Sequence, residues 1–390
     1  MGTGRGSIWE RMDRVIFFCV VGMILVGIIF VMSASFYAAK TYEVSPYYFF
    51  IRQAIWALPA MGVLIFFMMF DYTRLKDFVK PIVIITILLL VAVFIPGIGK
   101  YSGGARRWID FRLFLFNPSE LAKITVIIYL SYILAKKQSK LEDFTFGILP
   151  PLLLVAAIFF IILMQSGFST AVLLLVVAMI MFFIGGASVK HLLSILLLSV
   201  PVLIMFIVRV AYRLDRIFAY LNPWDDPSGK GYHIIQSQQA FVNGGFLGLG
   251  LGNSIQKIKK LPTPHTDFIF SVIAEETGML GSMILMAAFF IFFIRGMMIA
   301  VNCKDKFGQL LAFGIVSLIT LHALLNMAIA TGIIPTTGVS LPFISYGGSS
   351  MLMMAVGVGI LLNISAQNDI RPKMQIRELE NIIDEGFSSE

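Results

Sequence analysis

Long uninterrupted apolar runs constrain this chain more than any other feature. From Val15 to Ala39 no residue is charged, and a helix over that stretch is longer than a hydrocarbon core of about 30 Å. In lipid such a run can satisfy its backbone polar groups only internally, which selects helix. Nine further runs follow: Tyr47–Phe70, Pro81–Ile98, Pro118–Ala135, Phe146–Met164, Ala171–Ala187, Leu192–Val208, Phe268–Ile294, Leu310–Ile334 and Ser349–Ser365. The expectation is an all-α polytopic membrane protein with ten transmembrane helices and a large outer loop between spans seven and eight. With 58% hydrophobic and 13% charged residues, soluble enzyme classes are excluded. The first run is too long for a signal-peptide core and lacks a small-residue cleavage site after it, so it is expected to stay in the mature protein.

Ten crossings with both termini cytoplasmic put sixteen of the 30 Lys and Arg residues inside, among them Arg11, Arg14, Arg74, Lys76, Lys80, Lys136, Lys137 and Arg295. Lys123 lies within the fourth span, and Lys40 and Arg52 flank the first outer loop. The other eleven concentrate in two outer segments, 99–117 and 209–267. Long loops translocate regardless of charge, so a solvated face explains any one of these cations. Eleven together better suit an anionic partner at the membrane surface, either headgroups or a phosphorylated lipid.

The chain reads as a single domain, 1–390, with the outer loop at about 210–266 and a cytoplasmic tail at about 367–390. Within the outer loop, Ile234, Ile235 and Phe241 give a short apolar face expected to lie on the membrane. The run Gly244, Gly245, Gly248, Gly250 and Gly252 lacks a preceding strand and dinucleotide spacing, so tight turns or close helix packing are its expected uses. No internal repeat supports an inverted-repeat transporter. Cys19 and Cys303 form no disulfide framework, and no Walker A, HExxH or CxxC pattern is present.

Few residues are left to carry chemistry. Asn117-Pro118-Ser119-Glu120 has the form of a helix cap, which accounts for Glu120 by itself. Lys123 is three residues on and inside a span, where an ionisable group is a functional candidate and can pair with Glu120. Arg106 and Arg107 precede Trp108, so a guanidinium can fork onto phosphate while the indole anchors at the interface. Asp267 stands at the outer mouth of the eighth span, either as its N-cap or first-turn acid or as a catalytic carboxylate. His265 is two residues away, and the pair alone is too small a ligand set for a metal.

Four blocks carry a family resemblance: Arg107–Lys123 (RWIDFRLFLFNPSELAK), Asn222–Ser237 (NPWDDPSGKGYHIIQS), Leu261–Gly278 (LPTPHTDFIFSVIAEETG) and Asn326–Ser350 (NMAIATGIIPTTGVSLPFISYGGSS). In content and order they resemble the SEDS family (shape, elongation, division and sporulation), over nearly the whole chain. The resemblance implies a peptidoglycan glycosyltransferase that polymerises lipid II into nascent glycan beside a class B penicillin-binding transpeptidase. Other divisome or elongasome membrane proteins are the remaining implied partners, and nothing points to nucleic acid. It also implies a multi-pass protein of the bacterial cytoplasmic membrane with an extracytoplasmic active face.

Carried over, Asp267 matches the family's loop aspartate and would act as general base. Arg107, Glu120, Lys123, Arg213, Lys257 and His265 are the substrate-binding candidates, with or without a divalent cation such as magnesium or manganese. Two departures limit the transfer. Gln165-Ser166-Gly167-Phe168-Ser169-Thr170 lacks the acid of the relatives' QPDLGT, and Leu115 stands where relatives carry Arg, with Arg112 the nearest substitute. The Pro335-Thr336-Thr337-Gly338 turn leans toward the division branch. The alternatives are the elongation enzyme, a lipid II flippase, and a non-enzymatic scaffold that leaves Asp267 structural.

Overall fold

The computed structural model describes residues 8–368 except 42, 103–104, 113, 258–260 and 262–263. Residues 369–390 of the expected tail, with Lys259, Lys260 and Pro262 of the outer loop, lie outside the described residues. The long helices are α1 (Arg14–Thr41), α2 (Tyr48–Met69), α3 (Leu75–Ala92), α4 (Pro118–Lys136), α5 (Leu149–Met164), α6 (Phe168–Gly185) and α7 (Val189–Val208). The outer loop holds α8 (Ala211–Leu221) and α9 (Tyr232–Gly244), and α10 (Ile269–Asn302), α11 (Lys306–Thr331) and α12 (Gly348–Gln367) complete the bundle.

Among the described residues nine helices are long and apolar enough to cross a membrane. The expected third span is helical as α3, but its 18 residues include Lys76, Asp77 and Lys80, which keeps it out of that set. The middle of the bundle is α4, α11 and α12, whose surfaces are mostly covered, whereas α7 buries only Leu192 and Ile195. Small residues allow the close approach, since a Cβ at Gly314 would come 2.6 Å from Ile127 and one at Gly359 would come 2.6 Å from the Leu64 carbonyl. Polar side chains close the helix starts: Asn117 accepts from Ser119 N–H, Asp305 from Gly308 N–H and Ser188 from His191 N–H.

Three features depart from the sequence reading. The segment before α4 is not a plain loop but a small antiparallel sheet, β1 (Gly99–Ser102), β2 (Ala105–Asp110) and β3 (Leu115–Phe116), with Lys100 opposite Trp108 and Ile109 opposite Phe116. Its strands are too short to alternate visibly. Second, α9 does not spend its apolar face on lipid: Ile234 and Ile235 are buried, and Phe241 packs 5.7 Å from Phe270 of α10. Third, α10 breaks at Gly278, whose φ of 67° and ψ of −165° interrupt the helix. The glycine run fills that break. Met279 and Leu280 N–H donate to the Gly245 and Phe246 carbonyls, and Leu249 and Gly250 N–H donate to those of Glu275 and Glu276. The close packing expected of these glycines is therefore found, on a specific partner.

Candidate active site

At the end of the bundle where α4 and α12 begin, a cavity of about 590 Å³ opens between β2, α6, the end of α7, α8 and the segment after α11. Its lining includes Arg107, Ser166, Ser169, Tyr212, Arg213, Arg216, Asp267 and Pro335–Gly338. Three guanidinium groups and one carboxylate thus share a cavity that hydroxyl side chains also line. A mixed wall of this kind suits a sugar carrying phosphate.

Each cation is fixed by the fold. Arg107 projects from β2 and donates through Nε to the Gln165 carbonyl at 3.3 Å and through Nη2 to that of Ser166, which leaves the rest of its fork for a ligand. Arg213 donates to the Phe206 carbonyl at 2.7 Å and lies over the Phe168 ring at 5.3 Å. Arg216, one turn along α8, donates to the Thr336 carbonyl at 3.0 Å and lies over Tyr212 at 5.2 Å. Burial lowers the Arg107 pKa from its ordinary value, and the charges of Arg213 and Arg216 add to this while Tyr212 and Asp267 oppose it. An arginine so perturbed still stays charged at neutral pH.

Asp267 is not a helix cap: Phe268 holds that position in α10 and makes no side-chain capping bond. Its carboxylate faces the cavity, with the Cβ position of Gly338 at 3.5 Å from Oδ2. Burial raises its pKa above the free value of 3.8, and Arg216, Arg107 and a bond from the Thr266 side chain pull it back. Among the described residues no ion pair within 4 Å locks this carboxylate. A desolvated carboxylate that is not neutralised in an ion pair is able to accept a proton.

The other sequence candidates are placed elsewhere. Glu120 and Lys123 do pair, at 3.0 Å and nearly out of solvent, but inside the bundle and off the cavity wall. Glu120 does not reach back to close a capping box; Asn117 N–H donates instead to Ser349 Oγ. Lys257 is buried against Glu276 at 2.7 Å and Ser33 at 2.9 Å, so its charge is spent holding the outer loop to α10 and α1. His265 is buried beside Phe49 and Tyr346, with a pKa pushed down by burial to about 4, and does not line the cavity. Sequence proximity to Asp267 does not bring either to the cavity, because the stretch before Asp267 packs into the bundle, Lys257 on Glu276 and His265 on Phe49 and Tyr346. Arg216, Ser166, Ser169 and Thr336–Gly338 were missed; the three-residue spacing of Arg213 and Arg216 on an amphipathic helix was the available signal. Gly167, where relatives carry the acid, packs so closely that a Cβ would come 2.8 Å from Ile162. Among the described residues no group of three His, Cys, Asp or Glu side chains is placed to hold a metal.

Comparison with known proteins gives the same picture at the level of the whole chain. The profile of the FtsW, RodA and SpoVE family, described as cell cycle proteins, matches residues 13–370. A probable peptidoglycan glycosyltransferase FtsW of Geobacter metallireducens is 44% identical over 358 residues, covering 92% of this chain and 96% of that one. Stage V sporulation protein E of Bacillus subtilis is 37% identical, covering 88% and 94%. Among solved structures, a chain of a peptidoglycan synthase complex that coordinates polymerization and crosslinking superimposes with a TM-score of 0.75 at 26% identity, covering 92% and 99%. Rod shape determining protein RodA of Thermus thermophilus shares the fold, with a TM-score of 0.67 at 22% identity over 92% and 98%. The chain belongs to the FtsW/RodA/SpoVE family, the SEDS family of multi-pass membrane proteins.

Proposed function

We propose that this chain is a peptidoglycan glycosyltransferase of cell division, polymerising lipid II beside a class B penicillin-binding transpeptidase. The observation that carries the reading is one unlocked carboxylate, Asp267, facing three guanidinium groups across a hydroxyl-lined cavity. Relatives named as probable peptidoglycan glycosyltransferases support the reaction class, and the synthase complex supports a crosslinking partner.

In this reading Asp267 takes the proton of the sugar 4-hydroxyl as its oxygen attacks the anomeric carbon of the second substrate. The new glycosidic C–O bond forms as the bond to the undecaprenyl pyrophosphate breaks, and the leaving group departs with the electron pair. Its charge is met by Arg107, Arg213 and Arg216, preorganised by their backbone anchors. The raised pKa makes Asp267 a stronger base than a free carboxylate. Where magnesium or manganese takes part, Asp267 and substrate phosphate oxygens are the hard ligands on hand. The cavity end is assigned to the extracytoplasmic side and both termini to the cytoplasm.

Asp267→Asn keeps size and removes the base. Supplied with lipid II in vitro beside the transpeptidase, it is expected to lose about 100-fold or more of its polymerising rate, the scale of a lost general base. Near-normal glycan synthesis by folded mutant protein removes Asp267 from the mechanism. A flippase would make no glycan even as wild type.

A further inference from the structure

Three consecutive backbone carbonyls lead up to the cavity carboxylate, and each accepts a bond from the Asn326–Ser350 signature. Tyr346 N–H donates to His265 O at 2.9 Å, Ser345 Oγ to Thr266 O at 2.6 Å, and Asn326 Nδ2 to Asp267 O at 2.9 Å. The same Asn326 nitrogen also donates to Val339 O at 2.6 Å. Val339 follows Gly338, the residue against the Asp267 carboxylate. Upstream of it, Thr337 O accepts from Ser169 Oγ and Thr336 O from Arg216. One amide in α11 therefore grips both the catalytic loop and the wall that anchors a cavity arginine.

The remaining chemistry of Asn326 argues against a role in stability alone. Its side chain is completely buried, and its Oδ1 has no hydrogen-bond partner among the described residues. A buried amide that leaves its oxygen unpaired is a poor choice for packing at a site where leucine has similar volume. Both neighbours are carbonyl oxygens, so the nitrogen must be the atom that faces them. What this residue supplies is two N–H donors, aimed at two segments that must keep a fixed separation.

We infer that Asn326 is a positioning residue that sets the distance between the Asp267 loop and the Pro335–Val339 wall, and so the placement of the base relative to the cavity arginines. This rests on the reading of Asp267 as the base. Asn326 touches no substrate; it acts through the backbone of Asp267. Misplacement of a reacting group by about 1 Å costs on the order of 100-fold in rate.

The test compares Asn326→Leu, Asn326→Gln, Ser345→Ala and Asp267→Asn, full length, in proteoliposomes with the transpeptidase and supplied lipid II. For Asn326→Leu we expect kcat to fall at least tenfold with KM within threefold of wild type, and the acid limb of the pH profile to move. Asn326→Gln, which keeps the donors, recovers part of the rate. Ser345→Ala, which removes the Thr266 tether and the acceptor of the Leu341 N–H but leaves Asn326 in place, shows a smaller loss in kcat with KM unchanged. Wild-type kcat and pH profile in Asn326→Leu overturn the inference, as does a loss confined to KM. If Asn326→Leu does not fold, full kcat in Ser345→Ala together with no rate in folded Asn326→Gln overturns it equally. An active Asp267→Asn sinks the assignment of the base itself. An inactive Asp267→Asn beside a normal Asn326→Leu sinks only the positioning role.

Discussion

At the residue scale the cavity arginines are not equivalent, and their anchors say how they differ. Arg107 gives Nε and one Nη2 hydrogen to carbonyls of the Gln165–Ser166 turn, so its loss removes a phosphate contact and also frees that turn. A charge-assisted hydrogen bond is worth about 1.5–3 kcal/mol, so Arg107→Ala and Arg216→Ala are each expected to weaken lipid II binding roughly 10- to 100-fold. Binding of an uncharged polyprenol should change far less. Equal losses for both lipids would move the phosphate role off these residues. Arg107→Lys is expected to recover only part, because an ammonium cannot hold two carbonyls and a phosphate in one planar fork. In the proposed reaction Asp267 sets the pH behaviour. Its pKa is raised, so the base is lost as pH falls through a value above 3.8, and the acid limb of kcat should lie above that of a free carboxylate. The stability sign is opposite: the folded state favours the protonated form, so this group's contribution diminishes as pH rises through the same range. The place of Asp267 on the cavity wall was legible from the sequence because its motif and the mouth of a span coincide. Lys257 and His265 were not placed correctly because nearness along the chain says nothing of the turn that buries one against Glu276 and the other against Phe49.

At the scale of elements, the spans were legible because apolar length alone demands helix in lipid, whereas the sheet is built of strands too short to show alternation and the break in α10 arises from contacts with the distant glycine run. That break carries the loop that leads to Asp267. Glu275, buried at the end of the first half of α10, accepts from Asn243 Nδ2, Ser254 Oγ and Gln256 N–H, and Gln256 O accepts from Leu261 N–H just before the Asp267 turn. Glu276 holds Lys257. Both acids face the loop because the helix stops at Gly278. A Cβ at Gly278 would lie 2.4 Å from Gly248 N, and one at Gly248 would lie 2.2 Å from Glu276 O, each on a backbone with positive φ. The φ of 67° and ψ of −165° at Gly278 form a backbone conformation open essentially to glycine alone, which costs another residue about 1–3 kcal/mol before the collision is counted. Gly278→Ala is therefore expected to lower the thermal unfolding midpoint in detergent by several degrees and to reduce glycan synthesis, whereas Gly62→Ala, at an open position in α2, should do neither. A Gly278→Ala protein with wild-type midpoint and rate would show that the loop does not depend on the break.

At the scale of the molecule, the open matter is whether α3 crosses, because the parity of crossings decides which face sees the substrate. Its ends lie at opposite ends of the bundle. Just before it, Tyr72 N–H donates to Asn363 near the end of α12, and Lys76 in its first turn pairs with Asp305 at the start of α11. Just after it, the sheet that carries Arg107 meets the start of α12, where Ser349 Oγ donates to Leu115 O. Asn363 and Ser349 are fourteen residues apart on one helix, about 21 Å, which supports α3 as a crossing despite Lys76, Asp77 and Lys80 in its first turns. Those cations fall at the end that also holds Arg11, Arg14, Arg74 and the Asp13–Arg295 pair, as a cytoplasmic face requires. Single cysteines introduced into a variant lacking Cys19 and Cys303 test this directly. Ser45→Cys and Ser228→Cys, both at exposed positions, are separated by six membrane crossings if α3 crosses and by five if it does not. Both are expected to react with a membrane-impermeant maleimide in intact cells or spheroplasts, and exposed Glu142→Cys only after permeabilisation. Labelling of Ser45→Cys and Ser228→Cys from opposite sides would make α3 a helix that does not span. Labelling of Glu142→Cys alone in intact cells would turn the Asp267 cavity toward the cytoplasm, where a polymerase of exported lipid II could not work.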